Sequence, residues 1–331
     1  MRQRVLAKQA PCNGSQRWMM RIRPARLDDT HTIVSLFTRR VNAWQRLDTT
    51  GRVVDVPYHA LTLDERWSHG GPWMSVETAA VYLNHLLLGA GVMLVAEHAS
   101  GRVIGCAEAY HSVEGERYGA HLHLAALVTD DDDARAALLT AIREHAQLLR
   151  AARITVTDPG GCDLPSGAPL QPLATLGRYA LPARAGQVFY QVTDLVSADA
   201  VLISGWSMPC GRLTSARHQW EMLIPRLFET LPAVATRPHA RLRVSASGQD
   251  AIAYVSARPY DPRAADASIW SPRALQPQTV TALRDWAGRA GYRTLWFVAA
   301  ESALPALGPE AEADGFRLAV CELGAPPAPP A

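Results

Sequence analysis

Thr140-Ala141-Ile142-Arg143-Glu144-His145-Ala146 returns further along the chain as Thr281-Ala282-Leu283-Arg284-Asp285-Trp286-Ala287, at an offset of 141 residues. The same offset carries Ile154-Thr155-Val156 onto Leu295-Trp296-Phe297. In the first stretch the apolar positions Ala137, Leu138, Ala141, Ile142 and Leu149, with His145, recur at helical spacing. The second is a short apolar run of strand type. What repeats is therefore a helix followed by a strand. Upstream, Val244-Ser245-Ala246-Ser247-Gly248 to Tyr254 repeats Val95 to Ala107 at an offset of about 147 residues. A duplicated α/β domain is the economical reading.

Working outward, Arg21 to Ala25 reads as a short strand. Asp28 and Asp29 cap a helix whose apolar face is Ile33, Leu36, Phe37, Val41 and Trp44. Ser75 caps a second helix through Leu88. Val92–Glu97 and Arg102–Tyr110 are strands joined by the turn Ala99-Ser100-Gly101. His121 to Val128 is a further strand, followed by the run Asp130 to Asp133, a helix from Ala134 to Arg150, and a strand from Arg153 to Thr157. The second copy opens with a helix over Thr214–Leu231, with Trp220, Leu223, Leu227 and Leu231 on one face. Its boundary falls between a last strand of the first copy, Val188–Leu195, and a first strand of the second, Val201–Trp206. The expected organisation is a loose leader (1–20), a first domain (21–197), a second domain (198–322) and a Pro/Ala tail (323–331).

The 331 residues suit about two domains at roughly 150 residues each. With 33 basic and 31 acidic residues the net charge is +2, without the basic excess of a nucleic-acid binder. Lys8 is the only lysine. That excludes a phosphate-binding P-loop, and counts against a kinase or a pyridoxal-phosphate enzyme, each of which needs a lysine in its core. The five cysteines, Cys12, Cys106, Cys162, Cys210 and Cys321, are scattered and odd in number. They indicate no disulfide framework and no zinc site, and suit a reducing cytoplasm. No signal-peptide core is present, and the apolar stretch Leu86–Ala96 is too short to span a membrane. GxGxxG, GxSxG and HExxH are absent.

The order strand, two helices, hairpin, strand, helix, strand resembles the GNAT acyltransferase superfamily. Ile22-Arg23-Pro24-Ala25-Arg26-Leu27-Asp28-Asp29 is similar to that family's opening motif. Leu94-Val95-Ala96-Glu97 with Gly101-Arg102-Val103-Ile104-Gly105 is similar to its hairpin, and Asp314-Gly315-Phe316-Arg317 to the start of its last hairpin. The resemblance implies two tandem GNAT-like domains, each a mixed, mostly antiparallel sheet flanked by helices, in an α/β fold. It implies transfer of an acetyl group from acetyl-CoA to an amine of a small molecule, with a homodimer among the compatible assemblies. It places the cofactor along the central strand at Leu127 and Val128, with its pyrophosphate on the following helix start at Asp133, Ala134, Arg135 and Ala136. Orphan amides and the positive end of the helix dipole make such a site.

Both copies depart from that pattern. Val128-Thr129-Asp130-Asp131-Asp132-Asp133-Ala134-Arg135 in the first and Ser271-Pro272-Arg273-Ala274-Leu275-Gln276-Pro277 in the second hold no glycine. The first sets four carboxylates where a diphosphate would lie. That run reads either as a helix cap or as ligands for a hard cation, without the spacing of a metal site. For a general base the candidates are His121 and His123, two apart on one strand face, and Glu108 on the preceding strand. The alternatives are satisfied strand histidines and a solvent-facing carboxylate. Trp67, His69, Trp73 and Glu77 fall where the family lines its acceptor pocket, and the tryptophans could equally pack between the copies. No tyrosine stands at the family's general-acid spacing; Tyr179 is the nearest hydroxyl. The rival to catalysis is a GNAT-like protein with degenerate CoA sites that binds a ligand or partner between its copies.

Overall fold

The computed structural model describes residues 20–324, apart from 116, 159, 187, 232, 235 and 236. The expected leader, but for Met20, and the tail, but for Leu323 and Gly324, lie outside the described residues.

In chain order the first half holds β1 (Arg21–Pro24), α1 (Thr30–Thr38), β2 (Gln45–Leu47), β3 (Val53–Asp55), α2 (Leu63–Trp67), α3 (Val76–His85), β4 (Val92–Glu97), β5 (Val103–Val113), β6 (Ala120–Thr129), α4 (Asp132–Leu148), β7 (Arg153–Asp158), β8 (Gly161–Cys162) and β9 (Leu170–Pro182). The second holds β10 (Tyr190–Asp194), β11 (Ser207–Cys210), α5 (Ala216–Leu223), β12 (His239–Ala246), β13 (Gln249–Arg258), β14 (Asp261–Ser271), α6 (Pro277–Arg289), β15 (Thr294–Ala300), α7 (Leu304–Leu307) and β16 (Glu312–Leu323).

Local chemistry sets the hairpins. Ser247 and Gly248 both have positive φ, the two-residue turn whose twist matches the strands it joins, β12 and β13. Ser75 accepts from the Thr78 amide and starts α3, as expected. Strands β4 and β5 are buried on both faces. Val95, Cys106 and Tyr110 pack with Ile33, Tyr82 and Leu83 of the α1/α3 layer. Leu94, Ala107 and Leu122 pack with Leu138 and Ile142 of α4.

All strands except β2 and β3 join one sheet, in the order β1-β4-β5-β6-β7-β16-β9-β15-β11-β14-β13-β12-β10, with β8 paired to β6. The two ends mirror each other. β1 lies antiparallel to β4 as β10 lies antiparallel to β12, and the hairpin β4/β5 corresponds to β12/β13. At the centre the last strands are exchanged. β16, from the end of the chain, pairs with β7 of the first half, while β9 pairs with β15 of the second.

Five local expectations are corrected. Tyr190–Asp194 does not close the first copy, because its backbone pairs with β12 and forms the far edge of the second. Val201–Trp206 is no strand: Asp199 accepts from the Val201 amide and winds Ala200–Ile203 into a 3₁₀ turn. The helix over Thr214–Leu231 stops at Leu223, since Pro225 offers no amide. Trp44 lies beyond α1, which ends at Thr38, and packs on Tyr58 and His69. Asp314–Arg317 is a bulge inside β16 rather than a hairpin start, with Gly315 at φ 85° and the register shifting between Ala313 and Arg317.

Candidate functional site

β6 and β7 run parallel only from His121–His123 against Arg153–Thr155. Beyond that they splay, which is the opening the resemblance assigns to the cofactor. In this chain β8 fills it, pairing Gly161 and Cys162 with Ala126 and Leu127. The Asp163 amide donates to the Leu127 carbonyl at 2.7 Å. The Asp163 carboxylate accepts from the Thr129 amide at 3.0 Å and pairs with Arg40 at 2.7 Å. The second half repeats the arrangement with a different segment. β14 and β15 part after Asp266 and Trp296, and β11 inserts between them, pairing Cys210 with Ile269 and with Ala299. The Gly211 amide donates to Val298 at 2.7 Å. A Cβ on Gly211 would stand 2.4 Å from the Ser268 Cα, so only glycine passes there.

The helix start after β6 is also self-satisfied. Asp131 accepts from the Ala134 amide at 2.8 Å and is the N-cap of α4. Asp132 pairs with Arg135, and Asp130 with Arg40 at 2.9 Å. The carboxylates occupy the dipole end that a pyrophosphate would need. Leu127 and Val128 are buried, and Asp133 and Ala136 are exposed. The residues present do not fit acetyl-CoA in the manner implied by the resemblance.

An opening of ≈ 720 Å³ borders Asp130, Asp131 and Asp133, and a larger cleft of ≈ 980 Å³ lies between the halves. Glu108 of β5, Trp73 and Tyr82 line it from the first half, and His218 and Phe228 from the second. Glu108 is 2 % exposed. Its carboxylate accepts from the Trp73 indole at 2.7 Å, the Tyr82 hydroxyl at 2.8 Å and the Tyr110 hydroxyl at 2.5 Å. The two tyrosine hydroxyls also touch each other. Burial, followed by the charge of Glu108, pushes both phenols well above their usual range, so they remain neutral donors. His218 of α5 stacks on Tyr110 at 4.2 Å between ring centres, with its Nε2 3.7 Å from Glu108 and 3.3 Å from the Tyr82 hydroxyl. Burial lowers its pKa more than Glu108 and Glu221 raise it, which favours the neutral imidazole. Its Nδ1 has no partner among the described residues.

Of the candidates read from the sequence, the cleft brings together Glu108, Trp67, His69 and Trp73. Glu108 is not the solvent-facing strand carboxylate of the alternative reading. Trp67 meets Phe228 of the second half at 4.6 Å, so packing between the copies and lining the cleft are one role. Glu77 stands exposed in the first turn of α3 and is not among the lining residues. His121 and His123 are each 1 % exposed and absent from the lining. His123 bonds Thr155 at 3.0 Å, and His121 bonds the Gly119 carbonyl at 3.1 Å. His121 also faces Glu114 with its Nε2 at 3.5 Å, whereas the buried Nε2 of His123 has no partner among the described residues. Tyr179 is buried in the second half's core. Sequence reasoning missed Tyr82, Tyr110, His218 and Phe228. The spacing of Glu108 and Tyr110, two apart on one strand face, was an available signal for one of them.

Compared by sequence, the chain matches no family model and no curated protein. Compared by structure, it superposes on a GCN5-related N-acetyltransferase from Anabaena variabilis ATCC 29413 with a TM-score of 0.55 at 9% identity, over 92% of this chain and 72% of that one. The chain has the GCN5-related N-acetyltransferase fold. A conserved protein of unknown function from Enterococcus faecalis V583 aligns over the same shares of the two chains, with 13% identity and a TM-score of 0.49. The structure of yncA from Salmonella typhimurium with its cofactor acetyl-CoA matches over 42% of this chain and 69% of its own, with 17% identity and a TM-score of 0.28. Among the described residues no helix is long and apolar enough to cross a membrane.

Proposed function

We propose that this GNAT-fold chain is a ligand-binding protein whose site is the cleft between its halves, the acyl-CoA grooves having been closed by its own backbone. One observation carries the reading: the splay in each half is filled by a segment of the chain, β8 in the first and β11 in the second. The hydrogen-bonding edge that would receive an extended ligand is already paired, and displacing it would leave buried amides unsatisfied. The cleft is aromatic, with a few convergent polar groups, the usual character of a small-molecule site. Titration calorimetry of the whole chain with acetyl-CoA and with CoA tests the reading. The expected result is no binding heat at about 1 mM ligand. Micromolar binding of either would overturn it.

A second reading, acetyl transfer from acetyl-CoA to a small-molecule amine, is favoured by one observation. The neutral imidazole of His218 beside Glu108 suits a general base. That reading requires Gly161–Asp163 or β11 to leave its groove.

A further inference from the structure

Glu108 presents an anomaly of charge. It is buried, three neutral donors point at its oxygens, and among the described residues the one base within ion-pair reach is His218, at 3.7 Å. A buried carboxylate is ordinarily matched by a positive charge. The other acids bordering the cleft are matched: Asp64 with Arg237, Glu229 with Arg241, and Asp266 with Arg258. Glu108 alone faces this space without a fixed cation.

Rings pack around it: Trp73 is 3 % exposed and Tyr82 fully buried, and the half-buried Trp67 and Phe228 continue the wall into the open cleft. Trp73 and Tyr82 stand at 65° to each other with centres 5.3 Å apart, and Trp67 and Phe228 at 70° with centres 4.6 Å apart. Tyr82 and Phe228 join the two pairs, with centres 6.4 Å apart. Ring faces next to a carboxylate attract a cation through their quadrupoles, and more strongly where water is excluded.

The remaining question is which cation. A carboxylate has about four lone-pair directions, and Trp73, Tyr82 and Tyr110 take three of them. A primary ammonium brings three N–H donors, more than the one acceptor left at Glu108 and the unpartnered Nδ1 of His218 would take. An unsatisfied buried donor is costly. A quaternary ammonium has no N–H to satisfy and meets both the rings and the charge. We infer that the aromatic wall around Glu108 is a seat for a quaternary ammonium group, carried by a ligand whose remaining part occupies the rest of the ≈ 980 Å³ cleft. The inference rests on the proposed ligand-binding role of that cleft, and a nitrogen of this kind has no lone pair to accept an acyl group.

Choline is the probe, with 3,3-dimethyl-1-butanol as its uncharged isostere, ethanolamine as the primary ammonium, and acetyl-CoA in a parallel titration. Quenching of tryptophan fluorescence reads occupancy, because Trp67 and Trp73 line the cleft. The expected result is choline binding at least about tenfold tighter than either small analogue. Phe228→Leu, a change at a half-buried position, should weaken choline by a similar factor, as should Glu108→Gln if that variant folds. Equal binding of the uncharged isostere would overturn the charge argument. Equal or tighter binding of ethanolamine would overturn the choice of a quaternary group. No response to choline at about 50 mM would overturn the seat itself. None of these three outcomes touches the closure of the CoA grooves. Micromolar acetyl-CoA binding, by contrast, would remove the parent reading whatever choline does.

Discussion

Glu114 and Arg212 show how single residues join the halves. Both side chains are almost fully buried and form an ion pair across the interface. Glu114 also accepts from the Ala216 amide at 3.0 Å, at the start of α5, and from the Ser112 hydroxyl at 3.1 Å. Arg212 reaches the Thr214 carbonyl and lies 4.1 Å over the Tyr118 ring. Removing one partner leaves a buried charge. Arg212→Met should therefore cost about 3–5 kcal/mol in urea unfolding, and adding Glu114→Gln should recover part of it. A single-variant loss within about 1 kcal/mol would contradict this account of the clasp. Histidines set the pH dependence. Burial lowers the pKa of His121, His123 and His218, so the fold keeps them neutral while the unfolded chain protonates them near pH 6.5. Their contribution is complete above that pH and is lost as pH falls below it, by up to about 1.4 kcal/mol per pH unit for each histidine that stays neutral. The melting temperature should drop between about pH 7.5 and 5.5, and less so in His123→Asn. A flat profile would count against it. At this scale Glu108 was legible as a candidate because strand alternation and its hairpin are local. Its donors were not, since Trp73 and Tyr82 come from one layer and His218 from the other half.

The elements explain both what the sequence shows and what it hides. The repeat reveals helix–strand order, and the Ser247-Gly248 turn and the Ser75 cap can be read within a few residues. Strand pairing is non-local, so the letters of Tyr190–Asp194 did not disclose that its partner is β12. Nor did Gly161–Cys162, with only two residues in the strand, reveal that it fills the splay beside β6. The missing glycines after β6 were legible, and the structure supplies their counterpart: Asp131 caps α4 in place of an external anion. Asp131→Ala should cost about 1 kcal/mol in thermal or urea unfolding. Gly211→Ala is expected to cost more, at least about 2 kcal/mol, since its φ is +80° and the new Cβ meets the Ser268 backbone. An unchanged midpoint for Gly211→Ala would mean that β11 does not sit in its groove.

Across the whole molecule, the exchange of β9 and β16 makes the halves interdependent. β7 is covered by β16 from the end of the chain, and β15 by β9 from the first half. Either half alone would expose a long unpaired edge. Calorimetry of the intact chain should show one cooperative transition, and a chain ending before Glu312 should lose the stability of both halves together. Two separable transitions would contradict the exchange. The likeness of the two halves was legible from a seven-residue repeat, whereas the exchange was not, because it depends on which edge each last strand finds. The central claim is that the protein's own strands fill both grooves. Hydrogen exchange of the Asp163 and Gly211 amides, which donate to Leu127 and Val298, tests it most directly. The account predicts protection comparable to that of the neighbouring amides of β6 and β15. Exchange at the rate of an exposed loop would show that the grooves stand open and would contradict it.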